Sequence, residues 1–143
     1  MKKHVYLLIV TGLLLSLFGC QKYSEGPLVS LRTKKARLDG NWSMVVIYNN
    51  GVDVTQNYPE DNGYRIDKNG GLVKIYNLVE TPGTWEFNED KKELRITLAT
   101  SPTPYVWEIL RLTNNHLWLK RTVPKPDPNE LPDTIEEHYE VKK

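Results

Sequence analysis

Histidine and cysteine, the usual zinc ligands, are few in this sequence of 143 residues, with three histidines and one cysteine. Beyond the first few residues the only histidines are His116 and His138, and His138 alternates with Glu136 and Glu140. A zinc site needs three or four ligands close together, whereas a period-2 polar row is the usual outward face of a strand. The stretch DKNGG (67–71) lacks the third ligand and the distal glutamate of a calcium loop. We therefore predict no metal site.

The motifs that mark common enzyme classes are also missing from the sequence. No serine lies in a Gly-x-Ser-x-Gly pattern, and no glycine-rich phosphate loop is present. We predict that the protein is not an enzyme and needs no cofactor. The 19 basic and 18 acidic residues nearly cancel, so the chain has no broad positive field for binding nucleic acid.

The single cysteine, Cys20, follows a segment that is typical of exported proteins. Lys2 and Lys3 form a basic start, and residues 5–18 are almost entirely apolar. This run of about 14 residues is shorter than the roughly 20 that a membrane-spanning helix needs, so it indicates a signal peptide. The sequence LFGC (17–20) resembles the lipobox of bacterial lipoproteins. The resemblance implies that residues 1–19 are removed and that the Cys20 thiol is lipidated.

The alternative is an ordinary signal peptide with Cys20 as a free thiol. A lone exposed thiol in an exported chain is prone to oxidation and cross-linking, and lipidation removes that liability. We therefore expect a lipid anchor that holds the protein at the outer membrane. The start of the mature chain, CQKYSE (20–25), partly resembles an export tag of surface lipoproteins. Display on the cell surface and at the periplasmic face both stay open.

Removal of the signal peptide would leave one tether and one domain. Residues 20–37 are polar, contain a Gly-Pro pair and show no sustained period, which predicts a flexible tether with a short helical turn near 31–38. Residues 38–143 are long enough for a single compact domain. No second cysteine is present, so this domain must be stabilised by its hydrophobic core without a disulfide.

From residue 38 onward the sequence has the pattern of short strands separated by turns. LRITL (94–98) alternates apolar and polar residues, and no stretch sustains the 3.6-residue apolar period of an amphipathic helix. The Asn-Gly pairs at 50–51 and 69–70 indicate tight hairpin turns. The predicted strands are 42–48, 64–66, 72–77, 84–87, 94–98, 105–112, 117–121 and 134–141.

Eight short strands at hairpin spacing predict an all-β fold, an eight-stranded up-and-down barrel, because closure removes exposed sheet edges. A sandwich of two sheets is the alternative. We expect Thr81-Pro82-Gly83 to break the chain between two strands. The four prolines of residues 122–133 predict a stiff, extended loop before the last strand.

Three stretches resemble the lipocalin-like domains of lipoproteins from Bacteroidota. LDGNWSMVVIYNNGVDVT (38–55) is similar to their first strand, which has an early Gly-x-Trp ending here at Trp42, and 83–97 and 107–121 are similar to their middle and late strands. The resemblance implies a small calyx-like barrel, and for most members it supplies no known ligand. It also implies that Trp42 closes the barrel floor against a basic residue of a late strand, either Arg121 or Arg111.

Two classes of function follow from these predictions. In the first, a barrel mouth lined by aromatic side chains binds a small hydrophobic ligand, with Trp42, Trp85, Phe87 and Arg121 as candidate contacts. In the second, large inward side chains fill the barrel, and the protein is a structural or interaction protein. It would then contact another envelope protein through its loops or through an outer aromatic patch.

The candidate outer patch comes from two strands that have apolar residues on both faces. In YVWEILRL (105–112) and LWLKR (117–121) the apolar residues exceed what one inward face needs. We expect Trp107 and Trp118 to share the outer face, where either a helix of the tether or a partner protein covers them.

Overall fold

The computed structural model describes residues 32–142 and shows strands that hydrogen-bond into a closed sheet, preceded by one short helix. The predicted signal peptide, Cys20 and most of the predicted tether lie outside the described residues. No helix in the described part of the chain is long and apolar enough to span a membrane.

The helix is α1 (Lys34–Leu38), and a 3₁₀ turn covers Thr55–Asn57. The strands are β1 (Gly40–Asn49), β2 (Val52–Asp53), β3 (Asn62–Ile66), β4 (Gly71–Tyr76), β5 (Val79–Phe87), β6 (Glu93–Leu98), β7 (Tyr105–Leu112), β8 (His116–Val123) and β9 (Asp133–Val141).

The strand order confirms the predicted eight-stranded up-and-down barrel and excludes the two-sheet sandwich. From β3 to β9 each strand pairs antiparallel with its neighbours in sequence, and β1 pairs with both β3 and β9. Trp42 shows the closure directly, because it lies opposite Tyr64 on β3 and opposite Val141 on β9. The two-residue strand β2 only extends the end of β1 and is not a barrel strand.

Two hairpin turns adopt left-handed backbone conformations. Asn50 and Gly51 have φ of 51° and 78°, as expected of an Asn-Gly hairpin turn. The turn between β4 and β5 was not predicted: it consists of Asn77 and Leu78, with φ of 50° and 66°. Asparagine tolerates this conformation, whereas leucine is strained in it. Because β5 begins directly after this turn, it is longer than the predicted strand 84–87.

The prediction that Thr81-Pro82-Gly83 breaks the chain is wrong, because all three residues lie within β5. Pairing of β5 with β6 begins only at Gly83, and the Pro82 carbonyl accepts from the Ala99 N–H just beyond the end of β6, so Pro82 lies at the end of that ladder. A missing N–H is tolerated at such an edge position. Glycine is required at 83 because any Cβ there would collide with the carbonyl oxygen of Thr97.

Register shifts in two strands decide which side chains point inward. The register of β1 shifts between Met44 and Val46, and that of β7 shifts between Ile109 and Arg111. Such bulges break strict alternation. In β7 the bulge lets both Ile109 and Leu112 face the interior, which accounts for the surplus of apolar residues that the sequence shows there.

One end of the barrel is sealed by α1, and we call it the α1 end. Leu38 is 0% exposed, and its carbonyl accepts a hydrogen bond of 2.7 Å from the Trp42 indole. Arg37 donates to the carbonyl of Leu112 at 2.8 Å. The helical turn predicted near 31–38 is present as α1, and it packs against the barrel, so residues 34–37 are not part of a flexible tether. The core that fills the interior comprises Leu38, Trp42, Tyr64, Ile66, Leu72, Trp85, Leu94, Ile96, Leu98, Trp107, Ile109, Leu112, Leu117, Leu119 and Tyr139.

Candidate binding site at the open end of the barrel

Solvent reaches the barrel interior at the end opposite α1, which we call the open end. Residues paired across an antiparallel ladder share a face of the sheet. Tyr105 pairs with the buried Ile96 and therefore faces inward, yet it is 36% exposed. Lys74 and Arg121 also face inward, and both are only half-buried. An inward side chain can be exposed only where the barrel is open.

A buried carboxylate lies inside the barrel beneath this opening. Glu137 is 8% exposed, and it faces inward because it pairs with the buried Ile47 and Leu119. Its Oε2 accepts a hydrogen bond of 2.5 Å from the Tyr139 hydroxyl. The Tyr139 ring packs against the ring of Tyr64 at 5.4 Å between centroids. A carboxylate at this depth is costly unless it is hydrogen-bonded, and the Tyr139 hydroxyl meets that need.

Burial changes the acid–base properties of this region. Burial raises the pKa of the Glu137 carboxyl, and the Tyr139 hydrogen bond and the positive charges of Lys74 and Arg121 oppose that rise. Burial, together with the Glu137 charge, also raises the pKa of the Tyr139 and Tyr64 hydroxyls well above the ordinary tyrosine value. Both tyrosines are therefore neutral hydrogen-bond donors at physiological pH. We call Tyr64, Lys74, Arg121, Glu137 and Tyr139 the interior polar cluster.

Arg121 is held by aromatic rings instead of by a carboxylate. Its guanidinium carbon lies 4.9 Å from the ring centroid of Trp107 and 5.3 Å from that of Tyr105. Its Nε is buried without a hydrogen-bond partner, and so is the indole Nε1 of Trp107. Within residues 32–142, Arg121 and Lys74 form no salt bridge. Arg121 Nε and Trp107 Nε1 are thus two donors at this end without an acceptor among the described residues.

The candidate ligand contacts predicted from the sequence lie at both ends of the barrel. Trp85 and Phe87 pack edge to face at 5.2 Å, and the Trp85 indole donates to the Asp67 carbonyl in the β3–β4 turn. That turn and Trp42 are at the α1 end, because β1 begins there and β3 and β5 end there. Of the four predicted ligand contacts, only Arg121 is at the open end.

The resemblance implied that either Arg121 or Arg111 packs against Trp42, and both arginines instead stack on other tryptophans. Arg121 lies over Trp107, and the guanidinium of Arg111 lies 4.8 Å from the ring centroid of Trp118. The Trp42 indole is instead fixed by its hydrogen bond to the Leu38 carbonyl. Its position at the sealed end matches a barrel floor.

The prediction that Trp107 and Trp118 share the outer face is wrong for Trp107, which is 3% exposed and inside the barrel. Trp118 does face outward, where it pairs with Arg111 and His138. Its ring stacks on that of His138 at 4.2 Å, and Arg111 covers it from the neighbouring strand β7. The Trp118 ring is therefore covered in part by its cross-strand neighbours.

The row of His138 with Glu136 and Glu140 lies on the outer face of β9, as a solvent-side row does. His138 Nε2 lies 2.6 Å from Glu136 Oε1, and His116 Nε2 lies 3.8 Å from Glu140 Oε1. In the described chain no three potential metal-ligating side chains come together.

The interior polar cluster was missed in the sequence. The residue from which the cluster could be predicted is Glu137. It lies on the same alternating row as the inward Ile135 and Tyr139, where a carboxylate is unexpected. Comparison with known proteins adds no further site, because no protein-family model and no curated protein matches the chain.

Proposed function

We propose that this protein is a lipid-anchored envelope lipoprotein whose lipocalin-like barrel binds a small hydrophobic or amphipathic molecule at the open end. The observation that carries the proposal is the contrast between the two ends. Leu38 and its neighbours seal the α1 end, whereas Tyr105 faces the interior and is still 36% exposed. A barrel sealed at one end and accessible at the other is a common architecture for binding one small ligand.

The interior polar cluster supports a binding role over a purely structural one. A filled barrel is most stable with an apolar interior, since buried charges cost free energy even when they are paired. Here Glu137 is buried inside the barrel, and Arg121 Nε has no hydrogen-bond partner. Polar groups that do not improve stability are typical of binding sites, where they orient a ligand.

Titration with 1-decanol, monitored by isothermal titration calorimetry, tests this proposal. The wild-type protein is expected to bind the alcohol saturably. Thr81→Phe should abolish binding, because Thr81 pairs with the inward Lys74 and the larger ring would fill the open end. Thr84→Phe is the matched control, since Thr84 lies on the outward face of the same strand. The proposal is contradicted by equal binding by Thr81→Phe and wild type, or by absence of saturable wild-type binding to both 1-decanol and the matching carboxylate, decanoate.

The course of the chain suggests how the barrel is oriented at the membrane. The described chain enters the barrel through α1, at the sealed end. If residues 21–31 continue away from the barrel, an anchor on Cys20 would lie on that side, and the open end would point away from the membrane. Such an orientation keeps the mouth accessible to a ligand in the surrounding solution.

A second candidate function is contact with another envelope protein through the loops of the open end. These loops expose apolar side chains, among them Leu78 at 76% and Leu131 at 86%. Leu78 also keeps its strained φ of 66°, and strain retained at an exposed tip is common at functional sites. A photo-crosslinker at residue 131 would yield a discrete adduct in intact cells if this contact exists. The same group at Val106, exposed on the barrel wall, is the control.

A further inference from the structure

The guanidinium of Arg121 forms no ion pair and no hydrogen bond among the described residues, and it faces the barrel interior. Arg65 pairs with Glu80 at 2.9 Å, and Arg37 donates to the Leu112 carbonyl. Arg121 has neither kind of partner among the described residues, and its contacts are the faces of Trp107 and Tyr105. Stacking on aromatic rings holds a guanidinium in place and leaves the N–H groups at its edge free to donate.

The nearest interior carboxylate does not neutralise this site. Glu137 accepts from the Tyr139 hydroxyl, and two cations, Lys74 and Arg121, act on its charge. At the rim, Asp133 faces inward opposite Val123, accepts a hydrogen bond of 2.8 Å from Asn50 Nδ2 and lies 3.6 Å from Lys125, which also pairs with Glu130 at 3.2 Å. Both inward carboxylates at the open end, Glu137 and Asp133, are thus engaged by other side chains, and among the described residues neither forms a salt bridge with Arg121.

We propose that Arg121 makes the open end selective for ligands that carry a carboxylate, so that the natural ligand is an anionic amphiphile. This inference rests on the proposed binding function. The planar fork of a guanidinium matches the two oxygens of a carboxylate, and partial burial strengthens the interaction because water competes less well. The indole Nε1 of Trp107, whose ring contacts Arg121, is likewise buried without a hydrogen-bond partner, as a group is whose acceptor comes from outside the chain.

The surroundings of Arg121 also provide a place for the apolar part of such a ligand. Ile135 pairs with Arg121 across the β8–β9 ladder, and Val123 follows two residues later on the same face. Both are inward-facing and half-buried, and Tyr105 lies on the other side of the guanidinium. A short acyl chain packed on these three side chains would leave its carboxylate against Arg121.

A matched pair of ligands separates charge from hydrophobicity. Decanoate and 1-decanol have the same chain length and differ in the head group, so calorimetric titration of both at pH 7.5 isolates the carboxylate. We expect the wild type to bind decanoate about tenfold more tightly, the preference of a modest charge-assisted hydrogen bond. Arg121→Gln should bind the two ligands equally. Arg111→Gln should keep the preference, because Arg111 also stacks on a tryptophan but lies on the outer face.

The outcomes distinguish the two proposals. Equal affinity of the wild type for both ligands would overturn the carboxylate preference and leave the binding function standing. Binding of neither ligand would overturn the binding function itself. The wild-type comparison needs no variant, so it decides the matter even if Arg121→Gln fails to fold. A preference retained by folded Arg121→Gln would show that Arg121 is not its source.

Discussion

At the residue scale the defining feature is a carboxylate kept inside a barrel. Glu137 is buried, hydrogen-bonded to Tyr139 and within the influence of Lys74 and Arg121. Period-2 alternation places it inward from the sequence alone, because it shares a row with Ile135 and Tyr139. Its partners come from strands far apart in sequence, so neither the hydrogen bond nor the cations could be predicted from local pattern.

Glu137 gives the protein a specific pH dependence. Because its folded-state pKa is raised by burial, the folded state binds the proton more tightly than the unfolded state does. The stabilisation by protonation is therefore present below the ordinary glutamate pKa and is lost as the pH rises through the raised value. We expect Glu137→Gln to be more stable than wild type at pH 8, with the difference shrinking as the pH falls toward 4.5.

Thermal melts between pH 4.5 and pH 8 measure this effect. Glu108→Gln is the control, since Glu108 is exposed on the outer face and pairs with Glu93 across the ladder. A difference between Glu137→Gln and wild type that does not change with pH would refute the assignment.

The tryptophans should differ in their contribution to stability. Trp42→Ala removes a large side chain that is 2% exposed, and we expect it to cost about 3–5 kcal/mol or to unfold the protein. Trp118→Ala removes a ring on the outer face and should cost about 1 kcal/mol, as lost cross-strand pairs do. Urea unfolding compares the two variants. Equal, severe losses would show that Trp118 belongs to the interior.

At the element scale the strands could be predicted from alternation and turn residues, but two features of the strands could not. A Pro-Gly pair usually ends a strand, and here β5 continues through it because β6 pairs only from Gly83 onward. Strict alternation cannot place Ile109 and Leu112 on one face, and the bulge in β7 that does so cannot be predicted from the sequence. For this reason the sequence analysis places Trp107 on the wrong face of the sheet. Both errors arise from pairing with strands that the local sequence does not specify.

The β4–β5 turn offers a test at the same scale. Leu78→Asn should stabilise the protein by about 1 kcal/mol, because asparagine tolerates the positive φ of 66° that strains leucine. For a domain of this size such a gain raises Tm by about 4 °C. Leu131→Asn is the matched control, since Leu131 is also exposed but has no positive φ. Equal shifts in both variants would mean that lost hydrophobic exposure, not turn strain, is responsible.

At the scale of the whole molecule the barrel has a sealed end, joined to the N-terminal segment, and an open end that faces away from it. Cys20→Ala should move the protein from the membrane pellet to the soluble fraction or block its maturation, because the proposed lipid acceptor would be lost. Gln21→Ala, one residue further on, should stay with the membranes. Fractionation and immunoblotting compare the variants. A Cys20→Ala protein that matures and pellets unchanged would contradict lipid anchoring.

The most direct test of the central claim, ligand binding at the open end, is a nuclear magnetic resonance titration. Backbone amide shifts of the ¹⁵N-labelled domain are recorded as decanoate is added. Shifts are expected at Tyr105, Arg121 and Ile135, which face the interior at the open end, and not at Leu38 or Leu112 at the α1 end. Shifts confined to the outer face around Trp118, or no saturable shifts at all, would contradict the claim.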